Sequence, residues 1–215
     1  MNLLVPPGVY TPQDDTALLT EALDTVPLRE GTRVLDIGTG SGALALEAAR
    51  RGGRVTAVDV SRRAVLATRL NAALAGVRVR AVRGDLLSPV AGESFDLIMA
   101  NPPYVPDPDG ARRPRGAARA WDAGHDGRLI LDRICREAPG LLRPDGTLLL
   151  VHSVLSDPDR TLEHLRSAGL RAEVADRRWV AFGPVLRSRH GWLRERGLLS
   201  HDDDKEELVV IRAQR

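Results

Sequence analysis

Apolar runs of five or six residues alternate with longer segments of helical period along this chain. Arg33-Val34-Leu35-Asp36-Ile37 reads as a short buried strand, and Gly38-Thr39-Gly40-Ser41-Gly42 as a tight turn into the helical pattern Ala43 to Arg51. Arg54 to Asp59 is a second strand, Val77 to Val82 alternates as a third, and Phe95 to Ala100 is a fourth. Beyond them the pattern gives a helix over 127–138, a strand over 147–152, a helix over 157–168, a strand over 170–175 and a final strand over 207–212. Strands that alternate with helices predict a doubly wound α/β protein with a mostly parallel sheet. The closing pair is expected to add one antiparallel edge strand. Pro144-Asp145-Gly146 reads as a turn. Segment 179–200 is harder to place: its Trp192, Leu193, Leu198 and Leu199 suit a short amphipathic helix over the sheet edge or a partner-docking face, with core packing the better fit.

Candidate chemistry gathers where these strands end. After the fourth strand stands Asn101-Pro102-Pro103-Tyr104. Each proline fixes its own φ and holds the residue before it extended, so the Asn101 side chain and the carbonyls beside it have restricted directions. Asn101 Oδ1 and a neighbouring carbonyl can each accept a hydrogen from a primary amide or an exocyclic amine, which aims the nitrogen lone pair at a third point. Upstream, Gly38 and Gly40 let a ligand approach the backbone at a helix N-terminus. Gly38-x-Gly40-x-x-Ala43 alone also satisfies the dinucleotide fingerprint. Asp36 shifts the balance toward S-adenosylmethionine, because a carboxylate there would meet a cationic amino-acid end and repel a pyrophosphate. Asp59 ends the second strand where an acid holds ribose hydroxyls, with helix capping beside Ser61 as its plain alternative. Asp85 and Leu86 follow the third strand, as a carboxylate for an adenine amine and an apolar contact for its ring; an isolated turn residue is the alternative.

The order Asp36-x-Gly38-x-Gly40-x-Gly42, Asp59, Asp85-Leu86, Asn101-Pro102-Pro103-Tyr104 resembles the class I S-adenosylmethionine-dependent methyltransferases, whose Rossmann-like sheet has seven strands. Val9 to Thr16 and Trp121 to Arg128 are similar to flanking segments of the short branch of the HemK-related glutamine methyltransferases. That resemblance implies methylation of the glutamine amide in the Gly-Gly-Gln loop of a translation release factor, with a small activating subunit as a further partner. It implies Thr16, Asp36, Gly38, Gly40, Asp59, Asp85, Leu86 and Asn101 on the cofactor, and Asn101, Pro102 and Tyr104 on the substrate amide. Two departures bear on the partner surface. The family commonly has Glu where Gln13 or Asp14 stands, and Arg187 to Asp204 is longer and more polar than its usual return to the last strand.

Composition narrows the alternatives. At 215 residues with 43% apolar content, residues 1–215 read as a single methyltransferase domain, with no room for the N-terminal helical domain of longer family members. A net charge of +2 gives no strong field for nucleic acid, and 3% aromatic content argues against a base-stacking platform. Arg112, Arg113, Arg115 and Arg119 interrupt the Pro/Gly-rich segment 106–120, either as a solvated loop or as a lid over the substrate. One cysteine, Cys135, allows no internal disulfide, and the five histidines are dispersed, so no metal site is expected. No leader or membrane span is visible, which suggests a cytoplasmic protein. Two other classes fit the same residues: a methyltransferase of a small-molecule or nucleic-acid base amine, and a nucleoside-binding scaffold without turnover.

Overall fold

The structure is a computed structural model that describes residues 3–110 and 120–215. Seven strands form one sheet in the order β3-β2-β1-β4-β5-β7-β6. They are β1 (Arg33–Ile37), β2 (Arg54–Asp59), β3 (Val79–Arg83), β4 (Phe95–Ala100), β5 (Leu142–Ser153), β6 (Arg171–Ala181) and β7 (Lys205–Gln214). The pairs β1–β2, β2–β3, β1–β4 and β4–β5 are parallel, as the strand-helix alternation predicts.

The antiparallel strand is not at the edge. β7 pairs antiparallel with both β5 and β6 and sits between them, leaving β6 outermost. The reason lies in composition. Leu208-Val209-Val210-Ile211 is buried throughout, as a strand covered on every side must be, whereas β6 carries Asp176, Arg177 and Trp179 at exposed positions. β6 is also longer than its apolar pattern, because a bulge between Val174 and Asp176 breaks the alternation. β5 likewise runs through the expected turn: Phe95 pairs with Leu142 and Leu97 with Thr147, so Arg143 to Gly146 bow out, with Asp145 at φ +62°.

Helices α1 (Asp14–Ala22), α2 (Ala43–Arg50), α3 (Arg62–Leu74), α4 (Leu131–Glu137), α5 (Pro158–Ser167) and α6 (Pro184–Glu195) complete the fold. Alternate strand residues feed two cores. Val34, Leu97, Met99, Leu149 and Val151 pack with Leu18, Leu19, Leu44 and Val65 from α1 to α3, and Leu35, Ile98, Leu148 and Leu150 pack with Leu131, Ile134, Leu162 and Leu165 from α4 and α5. Cys135 is buried in the second core, which pushes its thiol up to about 12. α4 begins at Leu131, four residues later than the periodicity suggests, because Gly127 takes φ +72° and a Cβ there would strike the carbonyl of Tyr104.

α6 is the amphipathic helix that the Trp192 and Leu193 spacing predicts. Leu186 and Leu193 are buried with Phe182 against Val105, Leu155 and Leu198. Its Arg189 reaches Pro106 O at 2.9 Å and bonds Asp122, fixing both flanks of the segment after the tetrad. The arginines at 112, 113, 115 and 119 lie outside the described residues. Among the described residues no helix is long and apolar enough to cross a membrane, and no group of three metal-binding side chains occurs.

Candidate active site

β1 has β2 on one side and β4 on the other, so the chain reverses its winding there and opens a crevice at the strands' carboxyl ends. Asp36 on β1, Asp59 ending β2, Asp85 just after β3 and Asn101 just after β4 all stand along that ridge.

The glycine turn forms one half of the site. Gly38 and Thr39 donate to Val58 O at 2.8 and 3.0 Å, which ties the turn to β2. Gly38 has φ +71°, and the space a Cβ would enter is open, so the backbone there is accessible to a ligand. Asp36 is 1% exposed. Its Oδ2 accepts from Thr39 Oγ1 at 2.6 Å, while Oδ1 has no hydrogen-bond partner among the described residues. Burial pushes its carboxyl up to about 7 against the Thr39 bond, and the nearby Asp59 charge adds to the rise. Asp59 accepts from Gly40 N at 3.0 Å and Ser61 N at 2.8 Å; burial raises it, and these amides oppose the rise. Ser61 itself caps α3 through Ala64 N, and Asp59 Oδ1 supports that cap through Ser61 N while its Oδ2 holds the turn through Gly40 N.

Asp85 is placed differently. Its side chain is 61% exposed and held by both Nη atoms of Arg133, at 3.1 and 3.0 Å. Leu86 beside it sits at φ +48° and packs on the core below α4. A leucine in the left-handed region is uncommon and persists only where its surroundings require it.

The tetrad forms the other half. Asn101 Nδ2 donates to Thr16 Oγ1 at 3.2 Å, which joins two predicted residues 85 positions apart. Tyr104 OH donates to Asp15 Oδ2 at 3.1 Å, Tyr10 OH donates to the same oxygen at 2.7 Å, and both phenols are raised, first by burial and then by Asp15. Ser156 Oγ donates to Tyr104 O at 2.6 Å and fixes the chain beyond the prolines. Glu206, at the start of β7, has Oε2 buried without a partner among the described residues; burial holds its carboxyl up to about 7 against a Ser153 hydrogen bond, with Asp15 adding to the rise. Asp15, Tyr10 and Glu206 escaped the residue-by-residue reading. A signal for Asp15 was present: it lies three and four positions before Leu18 and Leu19, on the buried face of α1.

The methyltransferase small domain family matches residues 1–112. A Methanocaldococcus jannaschii protein named "putative protein N5-glutamine methyltransferase" is 33% identical over 187 residues, covering 86% of this chain and 93% of that one. The chain belongs to the HemK-related methyltransferases. It is a class I, S-adenosylmethionine-dependent enzyme by family. The release factor glutamine methyltransferase of Deinococcus radiodurans is 40% identical over 185 residues, covering 83% of this chain, which spans 63% of that longer relative. Among solved structures, the E. cuniculi Mtq2-Trm112 complex, described as responsible for methylation of the eRF1 translation termination factor, superposes with a TM-score of 0.69 at 25% identity. That match covers 97% of this chain and 99% of the other.

S-adenosylmethionine can be tested against the residues present. Its amino-acid end carries an ammonium, and Asp36 Oδ1 is a buried acceptor with no donor among the described residues, two positions before the open backbone of Gly38. The donor set fits the group.

Proposed function

We propose that this HemK-related methyltransferase transfers a methyl group to the side-chain amide nitrogen of glutamine in a translation release factor, working as one domain over residues 1–215 in the cytoplasm. The observation that carries the reading is Asn101: with Nδ2 engaged by Thr16, its Oδ1 is the atom left for a substrate. An uncharged NH2 group suits that acceptor, since an ammonium would first have to lose a proton. The named activities of the Deinococcus relative and of the E. cuniculi complex support the same substrate class. The latter, a complex of two proteins, also supports a partner subunit.

When bound, S-adenosylmethionine supplies an electrophilic methyl group on a sulfonium. In this reading Asp36 holds its ammonium, Gly38 and Gly40 admit it to the backbone, Asp59 takes the ribose hydroxyls, and Asp85 and Leu86 meet the adenine. Thr16 Oγ1 keeps one acceptor site beyond its Asn101 bond for the amino-acid end. An amide nitrogen is a weak nucleophile because its lone pair is delocalised. Asn101 Oδ1 and the Pro102 carbonyl, accepting the two amide hydrogens, favour the pyramidal nitrogen and stabilise the positive charge that develops on it. Tyr104 lies along the flat amide, and alignment of nitrogen with methyl carbon supplies the proximity term.

The test is incubation of the enzyme, S-adenosylmethionine and a release factor bearing a Gly-Gly-Gln loop, with cell extract as a source of any activating subunit, followed by peptide mass spectrometry. One added methyl on the glutamine is the expected result. Methylation confined to a small-molecule or nucleic-acid fraction would overturn it in favour of an amine substrate.

A further inference from the structure

Asp15 is 4% exposed, and its carboxylate is fully engaged. Oδ2 takes the Tyr10 and Tyr104 hydroxyls; Oδ1 takes Thr16 N at 2.5 Å and Thr16 Oγ1 at 3.1 Å. A carboxylate offers about four acceptor positions, and here four donors fill them. The single hydroxyl proton of Thr16 is therefore directed to Asp15. Thr16 Oγ1 can then meet Asn101 only as an acceptor, so the carboxamide must turn Nδ2 toward it and Oδ1 away.

Packing does not enforce that choice, because the oxygen and NH2 of a carboxamide are nearly alike in size; only hydrogen bonding distinguishes them. We propose that Asp15 is a positioning residue that acts through the Thr16 hydroxyl to lock the Asn101 carboxamide in its acceptor orientation. The same anion holds Tyr104, so both side chains assigned to the substrate amide are keyed to one buried charge. Without the relay Asn101 is free to flip, and a flipped Asn101 presents an NH2 to the NH2 it must bind. The inference rests on the amide-nitrogen reading above for its catalytic consequence, but not for its geometry.

Two measurements separate these. In Thr16→Val, which keeps the side-chain shape and removes the hydroxyl, kcat at saturating cofactor and substrate falls at least about thirtyfold, as loss of a preorganised acceptor should. Asp15→Asn falls similarly, and Thr16→Ser, which restores the hydroxyl, keeps at least about a third of wild-type turnover. The second measurement needs no substrate. Protein labelled with 15N-asparagine carries only Asn2, Asn71 and Asn101, so the Asn101 side-chain signal is assigned by its loss in Asn101→Ala. Its amide protons exchange slowly in wild type and in Thr16→Ser, and fast in Thr16→Val and Asp15→Asn, where the added fourth carboxamide is told apart by repeating Asn101→Ala in that background. If Thr16→Val matches Thr16→Ser in exchange and in turnover, the relay is wrong. If the exchange pattern holds while the release factor stays unmethylated, the substrate reading fails and the relay stands.

Discussion

On the glycine-turn side of the crevice, Asp36 is buried with one oxygen unpartnered and its carboxyl held up to about 7; on the tetrad side, Asp15 is buried with four donors on its two oxygens. Both acids stand near strand ends or helix starts and are almost fully enclosed. They differ in what is missing. Buried polar atoms nearly always find partners, so in the proposed site the open Oδ1 of Asp36 is where a ligand's donor would complete the structure. A saturated carboxylate marks scaffold that is finished before any ligand arrives. The two acids therefore stand in opposite states, and we propose that Asp36 binds while the Asp15 hub orients; Glu206 beside that hub keeps an open Oε2 of its own among the described residues.

The hardest test of that contrast is Asn101→Ala. If the tetrad half orients rather than binds, removing its one open acceptor lowers turnover at least about a hundredfold while cofactor affinity stays within a few-fold of wild type. Single-turnover rates with saturating substrate, alongside calorimetry of the cofactor, separate the two. Turnover above about a tenth of wild type would remove Asn101 from the acceptor role.

The mirror experiment on the glycine half is Asp59→Ala, which should act on binding. Loss of charge-assisted hydrogen bonds to a ribose weakens cofactor affinity by roughly 1.5 to 3 kcal/mol. The backbone consequences are read separately, since Asp59 also holds Gly40 N and Ser61 N. Asp59→Asn keeps an oxygen for one of these amides and isolates the charge. Unchanged affinity in both variants would take Asp59 off the ribose.

The contrast also explains what was legible before any coordinates. The glycine turn, the acids at strand ends and the Asn-Pro-Pro-Tyr tetrad are local signals, each written in consecutive residues. The fold class follows from the strand-helix alternation for the same reason. The Asp15 hub is not local: it joins Tyr10 and Thr16 to Asn101 and to Tyr104, which lies 89 positions beyond Asp15, and only packing of α1 over the sheet brings them together. The place of β7 was hidden similarly, because a run of four buried apolar residues says that a strand is covered without saying which neighbours cover it. The Arg133 partner of Asp85 comes from α4, on the far side of the tetrad in sequence, and no spacing rule reaches it.

A smaller effect comes from pH. The Asp36 carboxyl is raised in the folded protein, so the native state binds a proton more tightly than the unfolded chain. Its contribution to stability is full below the ordinary carboxylate range and is lost as pH rises through about 7. Cofactor binding runs the other way, because an ammonium pairs with the ionised form. Between pH 6 and 7.5 affinity should rise by somewhat under tenfold, about 1 kcal/mol, and level off above. Calorimetry in buffers of different ionisation enthalpy should register proton release on binding near pH 6. Affinity that is flat over this range, with no proton released, would place the ammonium elsewhere.

The smallest effect separates Asp85 from the rest of its half. Asp36 keeps one oxygen without a partner among the described residues, whereas Asp85 has both oxygens engaged in a two-pronged pair with Arg133 at the surface. An exposed pair of this kind is worth about 0 to 1 kcal/mol, and a carboxylate holding one guanidinium retains acceptor positions for a second donor. If Asp85 takes the adenine amine, Arg133 orients the carboxylate and also competes for it. Arg133→Ala should then change cofactor affinity by less than about fivefold. Asp85→Ala should weaken it more than that, and the double variant should match Asp85→Ala alone, since Arg133 can act on the adenine only through Asp85. A calorimetric cycle over the four proteins decides the matter. Equal affinity in wild type and Asp85→Ala would leave Asp85 as the anchor of α4 to the end of β3, and the adenine contact to Leu86.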